Sequence, residues 1–335
     1  MTANTCKQII LAKRPVGMPT EEDLKMVEAP IPQPGEGEVL VRSMYVSVDP
    51  YMRGRMNDRK SYVAPYTVGE VITGGVVGEV VESNTAELQA GDIVLGHYGW
   101  RTHAVVAGNQ LKKIDPTVAP VSTALGILGM TGLTAYFGLL DIGQPKEGET
   151  VVVSGAAGAV GTVVGQIAKI KGCRVVGIAG SKDKVRYLVE ELGFDAAINY
   201  KEADRKAQLK AACPNGVDVY FDNVGGEISD EVLALLNRQA RVVVCGQIAL
   251  YNLEKPDVGP RMQSQLLITS SMMKGFTLGD YAGRLDEGVA QLAQWFKEGR
   301  LTYSENIVEG FENIVPAFLG LFSGENVGKQ LVRLA

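Results

Sequence analysis

The sequence predicts an α/β protein in which a doubly wound parallel sheet is inserted into a β-rich, partly barrelled portion. Three observations carry that expectation. From Thr150 onward, short β-branched runs alternate with stretches of helical period. The first third offers strands and turns with little helical period. The tail, Phe311–Leu334, leaves the alternating pattern and reads as a helix, a Gly-containing turn and a final strand over Lys329–Leu334, which returns to complete the first portion. A chain of 335 residues also exceeds one average domain.

In the first third, Ile9–Leu11, Glu38–Val46, Val76–Glu82 and Asp92–Gly96 read as strands, separated by turns such as Pro34-Gly35-Glu36-Gly37 and Ala90-Gly91-Asp92. The later pattern begins with a strand at Thr150–Val153 and a helix running to Lys171. It continues with a strand at Arg174–Ile178, a helix at Lys182–Leu192, and strands at Ala196–Asn199 and Val217–Phe221. The turn Asp222-Asn223-Val224-Gly225-Gly226 then leads into a helix to about Asn237 and a strand at Arg241–Cys245. The expected boundaries are 1–125 plus 305–335 for the β-rich part and 126–304 for the α/β part.

Composition narrows the function classes. A 46% hydrophobic and 7% aromatic content describes a globular protein with a sizeable core. The net charge of −5 argues against a nucleic-acid-binding surface. Cys6, Cys173, Cys213 and Cys245 have no paired spacing, which points to neither a disulfide framework nor a zinc cluster and suits a reducing cytoplasm. The opening MTANTCKQIILAKRP carries too short an apolar stretch for a signal peptide. Val121–Leu140 is uncharged and long enough to suggest a membrane span. Ser122, Thr123, Thr131 and Thr134 interrupt it and Asp141 follows, so buried interdomain helices are expected and no membrane partner.

The stretch TVVVSGAAGAVGTVVGQIAKIK, Thr150–Lys171, carries the chemistry. A buried strand runs into Gly155, Gly158 and Gly161, and Val163, Ile167 and Ile170 mark the helix that follows. Strand, glycine turn and helix start together set free N–H groups and a positive dipole end at one point, a seat for a phosphate or pyrophosphate. Where an NAD-binding unit would place a carboxylate at the end of the second strand, this chain has Gly180 and Ser181, followed by Lys182 and Lys184. A hydroxyl and two amines suit a ribose 2′-phosphate, so NADP is expected, with Lys184 as the principal contact.

With these residues in view, the chain resembles a medium-chain dehydrogenase/reductase over nearly its whole length. The resemblance rests on GEGEVLVRSMYVSVDPYMRGRM (Gly35–Met56), GDIVLG (Gly91–Gly96), GMTGLTAYFGLLDIGQPKEGETVVVSGAAGAVG (Gly129–Gly161), FDNVGGE (Phe221–Glu227) and ENVGKQLVR (Glu325–Arg333). DPYMRGRM, LGMTGLTAY and FDNVGG are similar to the zinc-independent branch of prostaglandin, leukotriene, plant double-bond and bacterial curcumin reductases. The resemblance implies a Rossmann domain inserted into a GroES-like catalytic domain, NADPH as hydride donor in a cleft between them, and a homodimer through the outer edge of the Rossmann sheet.

Carried over by position, the resemblance implies pyrophosphate contacts at Ala157, Gly158, Ala159 and Val160, and adenosine-phosphate contacts at Gly180, Ser181, Lys184 and Tyr200. Positions nearer the nicotinamide are Met130, Thr131, Asn223, the loop Cys245, Gly246, Gln247, Ile248 to Tyr251, then Phe276, Thr277, Leu278 and Asn326. Tyr251 is the expected substrate-facing hydroxyl; Tyr51 and Tyr62 are expected either as aromatic walls of an apolar pocket or as packing residues of the β-rich part. Arg53 and Arg55 either draw an anionic substrate or lie solvated, and His97 and His103 are read as structural.

Where alcohol dehydrogenases of the superfamily place a cysteine ligand, this chain has Val48-Asp49-Pro50-Tyr51, and no cysteine stands near His97 or His103 in sequence. Conjugate addition asks less of the site than direct reduction of a carbonyl: hydride goes to carbon and charge develops on a remote enolate oxygen. The expected reaction is NADPH-dependent reduction of the carbon–carbon double bond of a small hydrophobic enone or enal, the enolate held by a tyrosine hydroxyl and a ribose hydroxyl. A quinone reductase of the same superfamily and an NADPH-binding module without turnover are the alternatives.

Overall fold

The computed structural model describes Thr5–Leu334; Met1–Asn4, part of the opening stretch weighed as a leader, and Ala335 lie outside the described residues. The chain divides into two compact units. The first holds the residues up to Leu125, Asn306–Glu325 and the stretch from Gln330; the second holds Gly126–Glu305 and Asn326–Lys329.

The first unit opens with the antiparallel pair β1 (Thr5–Leu11) and β2 (Leu24–Pro30). It continues with β3 (Glu38–Ser47), the short helix α1 (Tyr51–Arg55), β4 (Val76–Ser83), β5 (Ile93–Gly96), β6 (His103–Ala107) and β7 (Lys112–Lys113). Alternation along β3 buries Val39 and Val41 and turns Arg42 out, as a half-buried strand requires.

The second unit begins with α2 (Met130–Phe137), a π-helical turn at Gly138–Gly143, β8 (Thr150–Ser154), α3 (Ala159–Ile170) and β9 (Arg174–Ala179). Then come α4 (Lys182–Arg186), with a π-helical turn to Glu191, β10 (Ala196–Asn199), α5 (Arg205–Ala212) and β11 (Val217–Asp222). α6 (Gly226–Leu233), β12 (Leu236–Val244), α7 (Gln263–Thr269), β13 (Met272–Gly275) and α8 (Leu285–Lys297) complete it. After them β14 (Glu305–Glu309), α9 (Ile314–Ser323) and β15 (Lys329–Arg333) return to the first unit's sheet, whose order is β14-β15-β3-β4-β5-β7 with β6 beside β3. The tail therefore does rejoin the β-rich part. Within that unit, Phe318 of α9 meets Trp100 edge-on at 5.6 Å, and the Trp100 indole N–H donates to the Ser47 carbonyl at 3.0 Å.

Among the described residues the second unit's sheet runs β10-β9-β8-β11-β12-β13, every pair parallel. All five residues of β8 are buried, because both faces of a doubly wound sheet are covered. Val151 and Val153 join one apolar cluster with Val163 and Ile167 of α3, while Val152 joins a second with Leu209 of α5 and Val232 of α6. The uncharged stretch that imitates a membrane span is a 3₁₀ turn at Val121–Leu125 in the first unit and α2 in the second. Gly132 lets α2 approach its own entry loop, since a Cβ there would fall 1.8 Å from the Ile127 carbonyl oxygen. Among the described residues no helix is long and apolar enough to cross a membrane.

Two expectations on elements are corrected. The helix after Gly226 ends at Leu233, not near Asn237, and the strand expected from Arg241 begins at Leu236. Leu236 pairs with Val217, and the register then shifts before Arg241 pairs with Val219, around Gln239 in the left-handed region at φ 62°. Such a bulge hides the strand's period in the sequence.

Gly165 on α3 shows how tightly helix and sheet are packed: an added Cβ would lie 1.8 Å from Cζ of the buried Phe194. Gly165→Ala is expected to cost about 1–3 kcal/mol in urea unfolding through overpacking. Gly54→Ala on α1, whose Cβ meets nothing within 4 Å, is expected to gain up to about 1 kcal/mol from helix propensity.

Candidate functional site

In the second unit every sequence-derived cofactor position except Met130, Thr131 and Asn326 follows directly on the carboxyl end of a strand. The glycine turn follows β8, Gly180–Lys184 follow β9, Tyr200 follows β10, Asn223 follows β11, Cys245–Tyr251 follow β12 and Phe276–Leu278 follow β13. A parallel sheet presents all these ends along one rim, where open α/β sheets bind their ligands.

Gly155 takes φ 59°, a conformation that favours glycine, and turns the chain out of β8. Gly158 caps α3 in extended conformation, and α3 has no acidic residue in its first turn. A Cβ on Gly161 would fall 2.3 Å from the Gly155 carbonyl oxygen, so the first helical turn sits directly on the glycine turn. Ala157 is buried, while Gly158, Ala159 and Val160 are half-buried with their backbone at the start of a 12-residue helix. This cradle fits a pyrophosphate. Asn326 is brought to it: the Gly328 N–H donates to the Ala157 carbonyl at 2.8 Å, and the Asn326 amide donates to the Gly328 carbonyl at 2.8 Å. Thr131 also lies near the start of α3, lining a small cavity with Ala159 and Thr162; its hydroxyl donates to the Gly126 carbonyl at 3.0 Å. Met130 opens α2 half-buried.

After β9, the Ser181 hydroxyl accepts the Lys184 N–H at 3.3 Å. The Tyr200 ring packs on Gly180 so closely that a Cβ there would lie 2.9 Å from Tyr200 Cε1. Burial pushes the Lys184 ammonium below the ordinary lysine pKa, and the positive charge of Lys201 adds to the shift. Lys201 itself lies over the Tyr200 ring, Nζ 5.9 Å from its centroid. Two amines, a hydroxyl and a phenol ring thus converge where the sequence places the 2′-phosphate contacts. Lys201 was not singled out from sequence, although its place directly after Tyr200 offered the signal.

The Asn223 turn is built on Asp222, a carboxylate only 2% exposed at the end of β11. Asn223 donates its backbone N–H to Ser154 Oγ at 3.0 Å and its amide to the Ser154 carbonyl at 2.8 Å, which ties it to the end of β8. The following loop is fastened to the same turn: Cys245 and Gly246 N–H groups donate to the Asp222 carbonyl at 2.9 and 3.1 Å, and Ala249 N–H to the Val224 carbonyl at 3.0 Å. At its end the half-buried Tyr251 hydroxyl accepts the Gln247 N–H at 3.2 Å. Burial raises the Tyr251 pKa above the usual phenol value, opposed by that Gln247 bond and reinforced by Cys245 and Asp222. Burial likewise pushes the Cys245 thiol up to about 12, so it stays protonated beside the loop. Phe276 sits edge-on to Tyr281, and a Cβ on Gly138 would lie 2.6 Å from Phe276 Cζ. Thr277 and Asp280 form a capping box that holds Leu278 in the first turn beyond.

In the first unit, Tyr51 opens α1 half-buried, its pKa raised by burial and then by the Asp49 charge, whereas Tyr62 is 70% exposed. The structure gives both arginines internal work, contrary to a role in drawing an anionic substrate. Buried Arg53 donates to the Gly17 carbonyl at 2.9 Å and to Asn57 Oδ1 at 2.9 Å. Arg55 lies over the Tyr66 ring and donates to the Ala64 carbonyl and to Thr73 Oγ1. Burial lowers the pKa of His97 and of His103. Among the described residues no three His, Cys, Asp or Glu side chains gather where they would hold a metal ion.

Comparison with known proteins gives the family. Residues 7–114 match the family model described as the N-terminal domain of oxidoreductase, and residues 159–297 that described as zinc-binding dehydrogenase, although the described residues offer no zinc ligand set. The chain is 47% identical over 331 residues to the NADPH-dependent curcumin reductase of Escherichia coli (strain K12), spanning 97% of this chain and 96% of that protein. It is 42% identical to the NADP(+)-dependent 2-alkenal reductase of Nicotiana tabacum, over 98% of this chain and 97% of that one. The crystal structure of CurA from Vibrio vulnificus in complex with NADPH superposes with a TM-score of 0.94 at 48% identity, covering 98% of this chain and 99% of that chain. On these grounds the chain belongs to the medium-chain dehydrogenase/reductase family, in the branch of the curcumin, prostaglandin and 2-alkenal reductases.

Proposed function

We propose that this protein is an NADPH-dependent reductase of the carbon–carbon double bond in α,β-unsaturated ketones and aldehydes. NADPH, when bound, supplies the hydride. Ala157–Val160 hold its pyrophosphate, and Gly180, Ser181, Lys184 and Tyr200 its 2′-phosphate. Met130, Thr131, Asn223, the Cys245–Ile248 loop with Tyr251, Phe276–Leu278 and Asn326 surround the end nearer the nicotinamide. Tyr51 and Tyr62 serve as aromatic walls for an apolar substrate.

The observation that carries the chemical part is the Tyr251 hydroxyl. It accepts one hydrogen bond, from the Gln247 N–H, and so keeps its own proton to donate. Charge gathers on the substrate carbonyl oxygen as the double bond is reduced, and a preorganised phenol donor is suited to hold it. The raised pKa keeps the phenol neutral.

The same reading includes a reducing cytoplasmic setting, which the free cysteines suit. It also includes a homodimer through β13. That strand is the outer edge of the parallel sheet, with Met272 and Met273 exposed, and Leu267 and Ile268 of the preceding α7 are 80% and 73% exposed. Unpaired apolar edges of this kind favour strand-to-strand association.

Tyr251→Phe is expected to lower kcat on a linear enone by about 10²–10³-fold, followed as loss of NADPH absorbance, with NADPH affinity kept. Since the phenol pKa lies above its usual value, the wild-type kcat shows no alkaline fall from this group below about pH 10. A fall near pH 9 that Tyr251→Phe abolishes would contradict the assignment. Lys184→Ala is expected to weaken NADPH by about tenfold or more while leaving NADH unchanged, read by fluorescence titration of each nucleotide. Met273→Lys is expected to shift the protein from dimer to monomer by light scattering; a wild-type monomer would remove the edge-strand proposal.

A further inference from the structure

The sequence and the family resemblance assign the cofactor contacts around Asp222 but give Asp222 itself no task. Its carboxylate accepts five hydrogen bonds at the strand-end rim. Oδ1 accepts the Ser154 hydroxyl at 2.9 Å, the Tyr220 hydroxyl at 2.8 Å, and the Val224 and Gly225 N–H groups at 3.0 Å each. Oδ2 accepts the Ser229 hydroxyl at 2.8 Å. The division between the two oxygens matters. The Oδ1 bonds through Ser154, Val224 and Gly225 run to the end of β8, where the glycine turn begins, and to the Asn223 turn; the Oδ2 bond reaches only the side of α6. Ser154 then passes the constraint on, because its hydroxyl accepts the Asn223 N–H while donating to Asp222. The Asp222 backbone carbonyl adds the start of the Tyr251 loop.

We infer that Asp222 is a positioning residue for the reductase: through Oδ1 and Ser154 it fixes the spacing between the glycine turn, Asn223 and the loop that carries Tyr251. The inference rests on the NADPH-reductase reading above, and the two are separable. Whether the wild-type protein binds NADPH and turns over an enone tests that reading; differences among variants in NADPH affinity test this one. Asp222 is buried under these partners, so it acts through them.

The decisive comparison is between two hydroxyls on one carboxylate. Ser154→Ala removes the link to the glycine turn and to Asn223, and is expected to raise the Kd for NADPH about five- to tenfold and to lower kcat at saturating NADPH several-fold. Ser229→Ala removes the link to α6 and is expected to lower the melting temperature about as much as Ser154→Ala does, while moving Kd and kcat less than twofold. Asp222→Ala, which takes away both carboxylate oxygens, is expected to raise the NADPH Kd by about tenfold; if it is not recovered folded, the serine pair decides alone. Equal shifts in NADPH Kd for Ser154→Ala and Ser229→Ala, or an unchanged Kd in folded Asp222→Ala, would overturn the inference.

Discussion

The second unit depends on one buried carboxylate. Burying a charge costs several kcal/mol unless donors compensate it, and Asp222 is met by five, each bond to a charged acceptor worth about 1.5–3 kcal/mol. Removing the carboxylate would strand two backbone N–H groups and three hydroxyls at once, each costing about 1–3 kcal/mol. The strand ends β8 and β11 are adjacent by sheet pairing alone, but sheet pairing stops at Phe221 opposite Val153. Beyond that point the chains are irregular, and the side-chain network takes over from the ladder in holding them together.

Much of this rim was legible in the sequence because its parts are local. A β-branched run, a glycine turn and a helical period within 22 residues announce the phosphate seat, and the missing acid after Val176 sits a few residues from Lys184. Tyr200, Asn223 and Phe276 came from the family resemblance, and in the structure each follows directly on a parallel strand. The corrections fall where the cause is tertiary. Arg53 looks like a surface charge in the sequence, but the carbonyl it meets belongs to Gly17, 36 residues away. The start of β12 was hidden by a bulge around Gln239, whose left-handed backbone breaks the strand period. Asp222 reads as a turn residue after a strand, and nothing local reveals that Ser154, 68 residues earlier, closes on it.

Tyr251 shows two opposed effects on one proton. Burial disfavours the phenolate, while the Gln247 N–H favours it, and burial is the larger. In the role proposed for it, the balance suits a donor that stays protonated at rest and gives a strong hydrogen bond as charge builds on an oxygen nearby. A more exposed tyrosine would be solvated and compete poorly; one buried without the Gln247 bond would lack a fixed orientation. The loop supplies that orientation from its own backbone four residues earlier, so the hydroxyl is set by the same 3₁₀ turn that brings the ring out of β12.

The two ends of the nucleotide seat are shaped by opposite uses of glycine. At the glycine turn, the missing side chains on Gly158 and Gly161 let backbone N–H groups and the helix start lie open and close. At the end of β9 the space spared by Gly180 is filled by the Tyr200 ring, 2.9 Å from where a Cβ would stand. An acidic side chain at Gly180, as an NAD-type strand end would carry, would therefore have to expel Tyr200 and would set a negative charge close to Lys184 and Lys201. On the proposed assignment of this end to the 2′-phosphate, packing and charge act together: the aromatic ring occupies the volume that a ribose-gripping carboxylate would need.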